Sequence, residues 1–151
     1  MLKGIDPLLT PELLKVLAEM GHGDEIVIAD ANFTAASLAA GKPIVRLPGA
    51  GVERASQAVL SLLALDAAVA QPVAFMQVSE YPAGTLSALQ RRMLAWLQQA
   101  GHAEPAQCEA TERFAFYERV RGAFAIVLTS ELQPYGNFLY KKGVIGEALV
   151  P

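Results

Sequence analysis

The sequence contains little charge and no large cluster of basic residues. Charged residues make up 18% of the 151 positions, and the formal net charge is -3. The longest basic groups are the pairs Arg91-Arg92 and Lys141-Lys142. Neither pair is large enough to attract a phosphate backbone or an anionic membrane surface. We therefore expect neither nucleic acid nor a membrane among the partners.

Cysteine and histidine are also scarce. Cys108 is the single cysteine, so the chain can form neither an intramolecular disulfide nor a cysteine-based zinc site. The two histidines, His22 and His102, lie far apart in sequence and form no metal-binding motif. Residues 1–7 lack the long apolar stretch of a signal peptide. We expect a cytoplasmic protein that uses no metal and no other cofactor.

Apolar residues, in contrast, make up 53% of the chain. A length near 150 residues is the usual size of one domain with one core, so we predict a single domain over residues 1–151. The stretches free of charge are interrupted by Gly, Pro, Ser or Gln before they reach the roughly 18 apolar residues of a spanning helix. The surplus of apolar surface therefore indicates contacts between subunits.

Helical periodicity and continuous apolar runs alternate along the chain. The predicted helices cover residues 11–20, 52–65, 85–99 and 113–121. The predicted interior strands, which are apolar on both faces, cover residues 25–29, 73–78 and 123–129. We also expect a short extended segment at 107–111, a turn at 134–137 and a final, more exposed strand at 138–141. This alternation predicts one α/β domain.

A histidine between two glycines is the first candidate for chemistry. Gly21 and Gly23 leave the imidazole of His22 unshielded, and a histidine with a pKa of about 6.5 suits proton transfer. The alternative is structural, because a histidine at the end of a helix also interacts with the negative end of the helix dipole. The sequence leaves both interpretations open.

A carboxylate follows the first predicted strand. Ligands of open α/β sheets bind beyond the carboxyl ends of the strands, where Asp30 and Asn32 are expected to lie. There Asp30 could accept hydrogen bonds from sugar hydroxyls or orient an imidazole. The alternative is an Asx turn at the exit of the strand.

Aromatic and basic residues are concentrated in residues 113–119. Aromatic rings beside a guanidinium are typical of a sugar-binding floor, so Arg113 and Tyr117 are candidates. The alternative is a core helix in which Phe114 and Phe116 face inward and the arginines face solvent. Further along, Tyr135, Gly136 and Asn137 combine a phenol and an amide on a tight turn, although a turn needs no function.

These segments together resemble the RbsD/FucU family of sugar mutarotases, and specifically its L-fucose mutarotase branch. The resemblance is carried by residues 11–25, Asp30-Ala31 with Phe33, residues 113–119, residues 135–137 and residues 141–144. It extends over essentially the whole chain.

The resemblance implies a three-layer αβα sandwich with a mostly parallel central sheet. It also implies an isomerase that interconverts the α and β anomers of a monosaccharide, most often L-fucose, without a metal or cofactor. His22 would be the proton donor, and Tyr117 or Tyr135 the second proton relay. Asp30, Arg113 and residues 135–137 would contact the sugar. The resemblance further implies ring-like homo-oligomers, commonly decamers, with sites near subunit contacts.

The sequence leaves the substrate and the activity open. Asn32 stands where members of the fucose branch carry a histidine, so the substrate could be another sugar such as D-ribose. A monosaccharide-binding or regulatory protein without turnover is the alternative to an enzyme.

The spacing of His22 and Asp30 also matters for the site. An extended segment from His22 to Asp30 would span about 25 Å. We therefore expect either that the loops curl back or that a neighbouring subunit completes the site.

Overall fold

Six strands form a central sheet in the computed structural model, which describes residues 1–150. The strands are β1 (Glu25–Ala29), β2 (Ile44–Leu47), β3 (Val73–Met76), β4 (Cys108–Thr111), β5 (Ala125–Thr129) and β6 (Phe138–Lys141). Their order across the sheet is β2-β5-β1-β6-β3-β4. All neighbouring pairs are parallel except those of β6, which runs antiparallel to both β1 and β3. The predicted mostly parallel sheet is confirmed.

The helices connect these strands. They are α1 (Pro11–Glu19), α2 (Ala35–Leu38), α3 (Val52–Leu60), α4 (Ala88–Gln99) and α5 (Arg113–Gly122), and a short 3-10 helix covers Pro105–Gln107. Thr10 caps α1 by accepting a hydrogen bond from the amide of Leu13, as its sequence signature indicates. Within residues 1–150, none of the helices has the length and apolar character to cross a membrane.

Two helical layers cover the two faces of the sheet. Successive side chains of a strand point to opposite faces, so Ile26 and Ile28 of β1 face one layer while Val27 and Ala29 face the other. The first pair packs in a core with α1, α3 and α4. The second pair packs in a separate core with α2 and α5. The predicted three-layer αβα sandwich is therefore confirmed.

The prediction of β6 as a more exposed final strand is wrong. Phe138, Leu139 and Tyr140 are all fully buried, and β6 lies at the centre of the sheet between β1 and β3. Its backbone is paired on both sides, which removes it from solvent. Lys141 and Lys142 made the segment look like a sheet edge, but Lys141 is the last residue of the strand and Lys142 follows it.

Several predicted boundaries also differ. The helix predicted to end at residue 65 ends at Leu60, because Leu65 forms an antiparallel bridge with Lys142 of the chain segment after β6. The helix predicted from residue 85 begins at Ala88, where the side chains of Ser87 and Gln90 form a capping box. The short elements α2 and β2 were not predicted. Each contains only four residues, too few to establish a period.

The central position of β6 predicts the cost of shortening one of its side chains. Leu139→Ala should lower the free energy of unfolding by about 2–5 kcal/mol, because it leaves a cavity in a fully buried position. Leu132 is 79% exposed, so the control Leu132→Ala should change it by less than about 0.5 kcal/mol. Urea unfolding at one protein concentration measures both values. Equal, small effects would contradict the buried position.

Candidate functional site

A cavity opens at the edge of the sheet where β1, β3 and β4 end and where β6 begins. Its volume is about 290 Å³. The residues that line it are Asp30, Asn32, Phe33, Met76, Glu80, Arg113, Tyr117, Pro134, Tyr135 and Asn137. Five of the residues predicted from sequence are therefore brought together, although they come from three distant parts of the chain: Asp30, Arg113, Tyr117, Tyr135 and Asn137.

Asp30 is the buried carboxylate of this cavity. Its side chain accepts a hydrogen bond of 3.0 Å from the amide of Asn32, and its own amide donates one of 3.0 Å to Oδ1 of Asn137. Burial raises the pKa of Asp30, while the hydrogen bonds from Asn32, Asn137 and the Gly136 amide oppose that rise. The Asx turn considered as an alternative is present, and it holds Asp30 within the cavity.

The turn before β6 is held in a restricted conformation. Tyr135 has a φ of 61°, a left-handed conformation that is uncommon for a residue with a side chain. Its carbonyl accepts a hydrogen bond of 3.1 Å from the side chain of the buried Gln90. A Cβ on Gly136 would lie 3.0 Å from Leu89 and 3.1 Å from the carbonyl oxygen of Gln133. Gly136 therefore shapes the turn, but its own atoms do not line the cavity.

Arg113 and Tyr117 lie one turn apart on α5. Nε of Arg113 donates a hydrogen bond of 3.1 Å to the Tyr117 hydroxyl, which raises the pKa of the guanidinium. The same guanidinium lies 5.5 Å from the centroid of the Phe114 ring and 5.6 Å from that of Tyr117. Phe116 is fully buried, but Phe114 is 66% exposed. The core-helix interpretation therefore holds for Phe116 and is wrong for Phe114.

Arg119 does not belong to this site. Its guanidinium donates to Glu25 at 2.8 Å and to Glu109 at 3.0 Å, so α5 is tied to β1 and β4 by ion pairs. The core-helix alternative, in which the arginines face solvent, is therefore wrong for Arg119.

Sequence reasoning missed the carboxylate of Glu80. The hydroxyl of Tyr135 lies 2.6 Å from both carboxylate oxygens of Glu80. Glu80 follows β3 by four residues, so its position beyond the carboxyl end of a strand was the available signal. Met76, the last residue of β3, and Phe33, four residues after β1, were also missed as lining residues. Their positions at the carboxyl ends of strands were the same available signal.

His22 lies elsewhere. It precedes β1 in the chain whereas Asp30 follows it, so the length of that strand separates the two residues, and His22 does not line the cavity. Its Nε2 lies 3.2 Å from Oδ1 of Asp66, a buried carboxylate that sequence reasoning also missed. The amide of Ala68 and the nearby His22 lower the pKa of Asp66. The His22 side chain itself is 52% exposed, which leaves it accessible from outside the chain.

The comparisons with known proteins agree on one family. The family profile described as the RbsD / FucU transport protein family matches residues 3–145. L-fucose mutarotase of Actinobacillus pleuropneumoniae serotype 5b (strain L20) is 46% identical over 145 residues, which cover 95% of this chain and 97% of that protein. Fucose mutarotase of Homo sapiens is 44% identical over 147 residues, which cover 95% of this chain and 94% of that protein.

A solved structure extends the comparison to the fold. The crystal structure of the fucose mutarotase from Streptococcus pneumoniae in complex with L-fucose superposes with a TM-score of 0.85 and 36% sequence identity. The match covers 96% of this chain and 100% of that one. The fold and the cavity define an α/β protein with a cavity at a sheet edge that is lined by polar and aromatic side chains. With the profile match, they make this chain a member of the RbsD / FucU family, as the sequence resemblance predicted.

The two buried aspartates predict opposite responses to the same substitution. Because burial raises the pKa of Asp30, its ionised form destabilises the fold, and this penalty is absent below the ordinary pKa of about 4. Asp30→Asn should therefore raise the melting temperature at pH 7, and the gain should shrink towards pH 4.

The pKa of Asp66 is lowered, so its stabilising contribution is present above pH 4 and is lost on acidification. Asp66→Asn should lower the melting temperature at pH 7.

Thermal unfolding by circular dichroism at pH 7 and pH 4 measures these differences, with all proteins at one concentration. The exposed Glu118, substituted as Glu118→Gln, is the control for removal of a surface carboxylate. A decrease in melting temperature for Asp30→Asn at pH 7 would contradict the account of that carboxylate.

Proposed function

We propose that this protein is a monosaccharide mutarotase, an isomerase that interconverts the α and β anomers of L-fucose. The observation that carries the proposal is the cavity of Asp30, Arg113, Tyr117, Tyr135 and Asn137 in a chain whose relatives at 44–46% identity are named fucose mutarotases. A volume of about 290 Å³ lies at the lower end of ordinary ligand pockets, which suits one monosaccharide.

The lining residues supply both kinds of contact that a sugar needs. The carboxylate of Asp30, the guanidinium of Arg113 and the amide of Asn137 can bind hydroxyl groups. The rings of Phe33 and Tyr117, whose centroids are 5.9 Å apart, offer apolar surface to the C–H face of the sugar. The sugar would thereby be held in one orientation relative to Tyr135.

The chemistry requires two proton transfers. Ring opening removes the proton of the anomeric hydroxyl and delivers a proton to the ring oxygen. The aldehyde then rotates about its first carbon–carbon bond, and the ring closes on the other face. Tyr135 or Tyr117 would accept the first proton, and the imidazole of His22 would deliver the second. Oδ1 of Asp66 lies 3.2 Å from Nε2 of that imidazole and would hold the ring in one orientation.

His22 would have to come from a second copy of the chain, because β1 separates it from the cavity of its own chain. An apolar groove lies beside the His22 loop, lined by Leu2, Leu14, Leu62 and Ile145 together with Lys142. The carbonyl of Lys142 accepts a hydrogen bond from the amide of Gly23, which fixes the groove next to His22. A homo-oligomer in which this end of one chain covers the cavity of the next would complete the site and bury the groove. We expect the decamer that the resemblance implies.

The activity is tested by exchange NMR of the anomeric protons. The protein should accelerate exchange between the anomers of L-fucose, and more strongly than those of D-ribose. His22→Ala should reduce the acceleration by about 100-fold or more, while sugar binding detected by saturation transfer persists. His102→Ala is the matched control, because His102 packs against Trp96 away from the cavity. Binding of L-fucose without faster exchange in the wild-type protein would instead identify a binding protein.

The shared site is tested by mixing two inactive variants. If each site takes His22 from one chain and Asp30 from another, random 1:1 oligomers of His22→Ala and Asp30→Ala chains contain intact residues in about a quarter of their sites. Co-refolding the two variants should therefore restore about a quarter of the wild-type exchange rate. If both residues served a site from the same chain, the mixture would stay as inactive as its components.

A further inference from the structure

The contact between Glu80 and Tyr135 is the feature of the cavity that the proposed function does not use. We propose that Glu80 is a positioning residue that takes up the phenol proton of Tyr135 while Tyr135 takes the proton of the anomeric hydroxyl. Glu80 would thus act as a base that reaches the sugar only through Tyr135. This inference rests on the proposed function and deepens it.

The geometry determines which part of the phenol remains for the sugar. The hydroxyl of Tyr135 is 2.6 Å from each carboxylate oxygen of Glu80, a distance typical of a strong hydrogen bond to a charged acceptor. A carboxylate has no proton to donate, so the phenol must be the donor. The oxygen of Tyr135 is then left with acceptor capacity only, which is what removal of a hydroxyl proton requires.

Other contacts hold Tyr135 in place without Glu80. The side chain of Gln90 donates to the carbonyl of Tyr135 at 3.1 Å and to that of Met76 at 2.8 Å. Gly136 lies close to Leu89 and Gln133, so the turn is packed against these two residues. Glu80 itself is exposed and belongs to no helix or strand. Its contact with Tyr135 is therefore not needed to build the turn.

The phenol of Tyr135 needs a partner to exchange its proton near neutral pH. A phenol with an ordinary pKa of about 10 is a weak base as well as a weak acid near neutral pH, and it needs a partner to move a proton in either direction. Glu80 supplies the acceptor. Arg113 on α5 lies near both groups: its pKa is raised first by the hydrogen bond to Tyr117, and the charge of Glu80 adds to that rise. Asp30 and Tyr117 are the other titratable groups that line the cavity.

The step conserves atoms and electrons. The proton of the anomeric hydroxyl moves to Oη of Tyr135, and the proton of Oη moves to the Glu80 carboxylate. The electron pair of the broken O–H bond forms the C=O bond of the aldehyde, and the bond between C1 and the ring oxygen breaks. The ring oxygen takes a proton from the His22 imidazolium. Ring closure on the other face reverses each transfer, so nothing is oxidised or consumed.

Replacement of the carboxylate tests this inference in the full-length protein. Glu80→Gln should lower the maximal exchange rate of L-fucose about 100-fold and change the half-saturating sugar concentration by less than about threefold. Glu80→Asp, which keeps a carboxylate, should retain a larger part of the rate. Glu118→Gln, on the surface of α5, should exchange the sugar at the wild-type rate.

A double-mutant cycle separates a relay from a structural contact. Tyr135→Phe removes the phenol through which Glu80 acts, so Glu80→Gln combined with Tyr135→Phe should be no slower than Tyr135→Phe alone, within about twofold. Melting temperatures of all variants report whether they fold.

The contrary results are distinct from failure of the proposed function. A Glu80→Gln rate within about threefold of wild type, a loss confined to half-saturation, or additive losses in the cycle would each overturn the role of Glu80. A Glu80→Gln variant that fails to fold would shift the comparison to Glu80→Asp, whose rate would have to fall with unchanged half-saturation. Absence of exchange in the wild-type protein would overturn the proposed function, and the relay with it.

Discussion

The antiparallel pairing of β6 between β1 and β3 is the constraint on which the cavity depends. Parallel strands bring only their carboxyl ends to one edge of a sheet, and β6 adds its amino end to that edge. The turn that precedes β6 therefore meets the residue that follows β1, and the amide of Asp30 donates to Asn137 across the two. Met76, at the end of β3, donates its amide to the carbonyl of Asn137 on the other side. The buried strand β6 thus fixes the position of Asn137 relative to Asp30.

The direction of β6 also separates the two halves of the proposed site, because the His22 loop and Asp30 lie at opposite edges of the sheet. Lys142 directly follows the far end of β6, and its carbonyl accepts a hydrogen bond from the amide of Gly23 in the His22 loop, at the opposite edge of the sheet. A chain with this topology can orient His22 against Asp66, but its own sheet lies between that pair and Asp30. In the proposed function, assembly of identical chains would place both groups on one ligand. The surplus of apolar residues on this small domain would then cover the contacts between chains.

Much of the fold and part of the cavity could be predicted from local patterns. Continuous apolar runs identified β1 and β5. Asp30 follows β1, and it was predicted as a site residue because ligands bind beyond the carboxyl ends of strands. The central position of β6 could not, because local periodicity does not distinguish a central strand from an edge strand. Glu80 and Asp66 were missed because each is a single carboxylate in a loop, and only the folded chain brings them to Tyr135 and His22. Charge buried at Asp30 and the left-handed φ of Tyr135 are local costs concentrated at the cavity, as is common for functional sites.

The central claim is that one chain carries the sugar-binding cavity and another supplies the histidine. The most direct measurement follows the mass by light scattering and the L-fucose exchange rate per chain in the same samples during serial dilution. The account predicts that the rate per chain falls in proportion to the assembled fraction and that monomers lack the acceleration. Monomers that exchange L-fucose at the full rate per chain would contradict it.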